Sequence, residues 1–230
     1  MTPAGLPVPP PLAPIARRWR WAEMLLLFGA LPGILALGPR GALLPVIVAS
    51  GLICLFLLLR DPSFARGQLL AFGAIAREWR GLLLRSSIVA GALLALALLR
   101  GGPGAVLWFP RQKPLIWIGV ALLYPIFSAF PQEIVYRAFF FHRYRVLFAD
   151  SRRLIAVNAA LFGWSHILVH NPWAVLLATA GGVFFARTFE RARSTSLVAL
   201  EHAIYGDLVF TIGIGGMFVN GVRLLSRLLG

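Results

Sequence analysis

Apolar residues in this chain come in long runs, not in alternation. Seven runs, at about 21–37, 42–59, 82–99, 114–148, 154–169, 173–189 and 195–214, are rich in Leu, Ala, Val and Phe, and charged residues collect mainly between them. Helical runs of about 17–25 apolar residues match the thickness of a bilayer core, whereas barrel strands are short and alternate. The pattern predicts an all-α fold, a polytopic transmembrane helical bundle of about seven spans, because helices satisfy their own backbone in lipid. The 114–148 run is too long for one upright span, and Pro125 and Pro131 are where it is expected to kink. Phe72–Trp79 reads as an amphipathic piece lying on the membrane surface, and GGPG at 101–104 ends the third span.

Four segments follow from this pattern. Residues 1–20 are a Pro-rich N-terminal segment expected to be disordered. Residues 21–109 hold three spans, 110–215 form the core, and 216–230, with Arg223 and Arg227, read as an amphipathic tail. The first run lacks the short apolar core and small-residue cleavage site of a secretory signal, so it reads as a retained helix.

Composition strengthens the membrane reading. Of 230 residues, 59% are hydrophobic and the mean hydropathy is +0.82, far too apolar for a soluble domain of this size. The net charge of +14 does not point to nucleic acid, because the basic residues form no single patch. They fall in the gaps between apolar runs, as topology determinants do. With the N-terminus in the cytoplasm, sixteen basic residues lie inside and six outside, which predicts an integral protein of the plasma or inner membrane in that orientation. A lone cysteine, Cys54, excludes an intrachain disulfide and disfavours a thiolate–zinc site.

Ionisable residues inside the apolar runs change the picture from topology to chemistry, since such groups are costly in a bilayer. Glu133 and Arg137 stand four apart, so on a helix they face one another. Gln132 points about 100° away from Glu133. His166 follows Phe162 by one turn, and Glu201, His202 and Asp207 fall within one later run. His142 and His170 are expected at the membrane surface. Counted from the cytoplasmic ends of their helices, Glu133, His166 and Asp207 lie roughly 18–22 Å deep and His202 roughly 10 Å. The three helices are expected to meet and make one site. Its carboxylates and imidazoles suit a general base with an oxyanion donor, or ligation of a divalent metal. No HExxH spacing supports the metal.

QEIVYR at 132–137, FGWSH at 162–166 and EHAIYGD at 201–207, on three successive helices, resemble the CAAX protease and bacteriocin-processing (CPBP, or Abi) family of intramembrane endopeptidases. The resemblance covers about residues 110–215 and implies a four-helix core of the CPBP type. The family pattern is EExxxR, then FxxxH, then HxxxN. Phe162 and His166 fit the second element, Glu133 and Arg137 fit the second acid and the arginine of the first, and His202 fits the last histidine. Gln132 stands in the place of the first acid and Gly206 in the place of the asparagine.

The resemblance implies a glutamic-type endopeptidase acting on a membrane-associated protein or peptide, with the lipid bilayer as its other partner. Glu133 would be the base, through a local shift of the helix beside Pro131. His166 would share the water, His202 would donate to the oxyanion, Gln132 would orient water or substrate, and Arg137 would hold Glu133. An amide cannot take a proton, so Gln132 cannot replace a glutamate as base. An ionised Asp207 would repel an oxyanion. No cofactor is expected, although Glu133, His166 and His202 make a zinc version arguable. The alternatives are the same fold without proteolysis, as a binding or chaperone-like membrane protein, and a transporter, which lacks the paired discontinuous segments expected of one.

Overall fold

The computed structural model describes residues 13–39 and 42–213. The expected tail at 216–230, with Arg223 and Arg227, lies outside the described residues, as do residues 1–12 of the N-terminal segment. The described chain is built from helices: α1 (residues 14–35), α2 (Leu43–Arg60), α3 (Gly73–Gly101), α4 (Pro114–Leu147), α5 (Ser151–Ser165), α6 (Pro172–Ala192) and α7 (Thr195–Ile212), with a short helical piece at Trp108–Gln112. Among the described residues, α2, α3, α4 and α6 are long and apolar enough to cross a membrane. Leucines that no neighbour covers, such as Leu52, Leu83, Leu84 and Leu122, lie along α2, α3 and α4, where lipid would replace water against them.

Two expectations are corrected. The N-terminal segment is helical from Pro14 onward, the proline occupying the first helical position where its missing N–H costs nothing. Phe72–Trp79 is not a separate surface piece. The chain from Gly73 runs straight into the third apolar run as one 29-residue helix, because nothing between them breaks the ladder. That helix stops at Gly101, and Gly102 takes φ 65°, a left-handed turn suited to glycine. α4 is continuous through both prolines, the positions expected to kink it. Each proline sits at or just before a π-helical turn, Pro125–Ala129 and Ile134–Phe139, where the missing donor and the ring are accommodated by local widening instead of a break.

Later helices begin at side-chain caps. Asp150 accepts from the Arg153 N–H, Asn171 from Trp173 and Ser194 from Leu197, each satisfying an orphan donor. The turn at His170, in a left-handed conformation (φ 56°), folds α5 and α6 into an antiparallel hairpin. The pair approaches closely because Gly163 faces Thr179 and Gly182 faces Ala159 and Phe162. Small residues at such crossings let backbones meet in lipid, where no hydrophobic drive pulls helices together.

α7 packs along α3. Ala74 and Leu82 share a cluster with Leu197, and Leu93 and Ala97 share another with Val209 and Ile212. Its first residues, with Ser194 before them, are all buried as far as Leu197. On the other side, Phe28 of α1 sets its ring edge-on to Tyr136, Phe140 and Tyr144 of α4. α2 crosses α4 at Gly51, where an added Cβ would lie 2.7 Å from that of Pro131. In the loop after α2, Asp61 pairs with Nε2 of His142 at 2.9 Å. Hydrogen bonds from Ser63, and secondarily His142, hold the Asp61 carboxyl down to about 2.

The α5–α6 crossing is expected to tolerate no added volume. Gly163→Ala places a methyl onto Thr179, and overpacking of this kind costs about 1–3 kcal/mol. Thermal unfolding in detergent should show a clear loss for Gly163→Ala. Gly91→Ala, on α3 with nothing within 4 Å of the new Cβ, should show none. Equal stability of the two variants would refute the close crossing.

Candidate active site

Glu133 is fully buried at the point where α4 widens into its second π-helical turn. A lone carboxylate there would be prohibitive, and both of its oxygens are engaged. Oε2 lies 3.1 Å from Nε of Arg137, one turn along the same helix and equally buried. Oε1 lies 2.7 Å from Nδ1 of His202 on α7. The ion pair lies within α4, and the hydrogen bond joins α4 to α7 across the bundle.

Arg137 needs compensation for its own burial and receives it from three sides. Besides Glu133, its guanidinium lies over the ring of Phe162 at 4.4 Å and near that of Phe185 at 5.3 Å. It also donates to the Gly182 carbonyl at 3.4 Å, so α5 and α6 both contribute to its seat. Phe185 stacks on the His202 ring at 4.7 Å, and Phe162 meets His202 edge-on at 5.5 Å. The imidazole is clamped in one orientation.

That orientation decides the tautomer. Nδ1 of His202 donates to a carboxylate, so the neutral ring keeps its lone pair on Nε2. His202 lines a cavity of about 660 Å³ bounded mainly by apolar side chains of α1–α7. His166 lines it too. It sits at the C-terminal end of α5, where the helix tightens, and its Nδ1 donates to the Phe162 carbonyl at 2.9 Å. The His166 lone pair is therefore also on Nε2. Phe162 touches both imidazoles, its ring lying 4.9 Å from that of His166.

Gln132 also lines the cavity, while Glu133 does not. The 100° between successive helical residues turns the amide inward and the carboxylate toward Arg137. Gln132 donates through Nε2 to the Ser128 carbonyl at 3.1 Å and to its hydroxyl at 3.0 Å, which presents Oε1 as the remaining acceptor. Glu133, Arg137, Gln132, His166 and His202 thus come together around one cavity wall.

Two other acids do not. Glu201 is fully buried but faces the opposite way, toward α3, taking Nε of Arg85 at 2.6 Å and the Tyr205 hydroxyl at 3.0 Å. It belongs to the packing of α7 on α3, and its partner Arg85 lies too far away in sequence for spacing to reveal it. Asp207 is not among the residues lining the cavity. The expected depths also need correction. Helices that all start at one plane would leave His202 well short of Glu133, yet the two are hydrogen-bonded. The Glu133–His202 contact, and not a shared starting plane, sets their relative level.

Sequence reasoning missed Tyr124 and Tyr136 as cavity-lining groups, because aromatic residues within an apolar run carry no signal of their own. It also missed Asn158, fully buried on α5. Asn158 donates to the Tyr136 carbonyl at 2.7 Å, just where the π-helical turn loosens the backbone ladder. Among the described residues, no group of three or more His, Cys, Asp or Glu side chains is placed to hold a metal ion. In the set Glu133, His166 and His202, the carboxylate is hydrogen-bonded to one of the imidazoles.

A family model described as Type II CAAX prenyl endopeptidase Rce1-like matches residues 114–206, from the start of α4 to a point four residues past His202. No curated protein and no solved structure matches the chain. The matched stretch contains every residue of the clustered site and lies within the core expected at 110–215. Residues 114–206 are therefore a domain of the Rce1-like type II CAAX prenyl endopeptidase (CPBP) family.

Proposed function

We propose that the protein is an intramembrane endopeptidase that hydrolyses a peptide bond of a membrane-associated protein, a prenylated CAAX terminus being one substrate of suitable chemistry. The observation that carries this reading is the Glu133–His202 hydrogen bond at the wall of a largely apolar cavity, inside a domain of a peptidase family. The cavity would exclude bulk water and take up an apolar chain beside the scissile bond.

On this reading the roles expected from sequence are redistributed. Glu133 does not reach the cavity, so we assign it to orienting His202 and stabilising its protonated form. Arg137 balances the charge of Glu133. His202 is then the general base: Nε2 takes a proton from water as the oxygen attacks the carbonyl carbon. The imidazolium returns that proton to the amide nitrogen as the C–N bond breaks. His166, through the Nε2 lone pair, and Gln132, through Oε1, hold and aim the water. A proton-accepting side chain contributes about 10²–10⁴-fold to such a step. Seven crossings, with the N-terminus and the cavity mouth toward the cytoplasm of a plasma or inner membrane, complete the reading. The charge asymmetry between the connecting segments supports that orientation.

A non-proteolytic reading also has an observation in its favour. Gln132 cannot accept a proton, and its amide is already tied to Ser128. On that reading the cavity binds a membrane peptide without cleaving it.

Purified protein in detergent, given a peptide library, distinguishes the two. His202→Ala should lower kcat/KM by about 10²–10⁴-fold, and Glu133→Gln should lower it strongly with little change in KM. Cleavage that survives both would eliminate the dyad as the catalytic machinery. Inactivity of wild type combined with activity of Gln132→Glu would favour binding without turnover.

The buried pair should separate stability from activity. Glu133→Leu leaves Arg137 charged and unpaired, a loss of about 3–5 kcal/mol by thermal unfolding. Glu133→Leu with Arg137→Met should recover most of the stability and none of the cleavage. Topology has a separate check. A C-terminal reporter active only outside the cytoplasm should be active, and silence from it would sink the seven-crossing arrangement.

A further inference from the structure

The cavity wall holds one more group suited to the reaction. We infer that the hydroxyl of Tyr124 donates to the substrate carbonyl oxygen as negative charge develops there, making Tyr124 a catalytic residue. This rests on the peptidase reading of the same site.

Three observations support the assignment. First, Tyr124 is held in place from α7: its ring meets His202 edge-on at 6.0 Å and Phe210 at 5.7 Å. The half of α4 that carries it is anchored to the same helix. The hydroxyl of Thr211 accepts from Trp117 Nε1 at 2.9 Å and ties the first half of α4 to α7.

Second, Gly206 makes room for the phenol. A Cβ at that position would overlap the Tyr124 ring and lie 2.5 Å from its hydroxyl. His202 and Gly206 stand four apart on α7 and both line the cavity, so the hydroxyl sits about one helical turn, roughly 5.4 Å, along the wall from the proposed base. Third, four of the other donors there are committed. Nδ1 of His202 donates to Glu133, Nδ1 of His166 and the Ser165 hydroxyl to the Phe162 carbonyl, and the Gln132 amide to Ser128. Among the described residues, the Tyr124 hydroxyl has no such hydrogen bond. A phenol is a neutral donor at physiological pH and brings no charge that would repel an oxyanion.

The test pairs turnover with binding of a tetrahedral mimic. A prenylated CAAX peptide and the same peptide with a phosphinate at the scissile bond are added to the full chain in detergent. Tyr124→Phe, which keeps the ring and its packing, should lower kcat by about 10²–10³-fold with little change in KM. It should weaken phosphinate binding by a similar factor and leave binding of the uncleaved peptide unchanged. Gly206→Ala, which displaces the phenol, should reproduce both effects. If wild type cleaves and Tyr124→Phe retains its rate and phosphinate affinity, the Tyr124 assignment is overturned and the peptidase reading stands. If wild type neither cleaves nor prefers the phosphinate to the peptide, both fall.

Discussion

Burial of Glu133 is the constraint on which the rest of the site depends. A carboxylate with no exposure inside a membrane bundle must have each oxygen engaged, and two different helices supply the partners. Arg137 answers its charge and His202 its remaining oxygen. Arg137 in turn requires the Phe162 and Phe185 rings and the Gly182 carbonyl, which draws in α5 and α6. One buried acid therefore accounts for the convergence of four helices. The close α5–α6 crossing at Gly163 and Gly182 serves the same end, because it brings both rings within reach of the guanidinium.

The same network sets the chemistry of the cavity. Nδ1 of each imidazole is tied to an acceptor, so both lone pairs reside on Nε2. The charged groups stay behind the wall, and the cavity itself is lined largely by apolar residues. Low polarity strengthens whatever hydrogen bonds a substrate makes there. It also explains why polar groups in that wall are few and mostly paired with backbone or with one another.

Much of this is legible along the chain. The apolar runs predict helices that the structure contains, and positions 133, 137, 166 and 202 stand out because ionisable residues are costly in such runs. Spacing alone puts Arg137 on the face of Glu133 and turns Gln132 away from it. Other features leave no trace. The pairing of Glu201 with Arg85 spans 116 positions, and nothing local distinguishes it from a catalytic acid. The phenol of Tyr124 lies against Gly206, so an apparent gap in the motif on α7 is filled from α4.

By itself the sequence determined the class of the protein and the set of costly residues, because hydrophobic length and the energetics of charge in lipid are properties of local composition. Only the tertiary structure decided what each residue faces. Which carboxylate meets the cavity depends on helix rotation and on the π-helical turns of α4. Neither can be read from spacing, since each arises where separate helices compete for the same space.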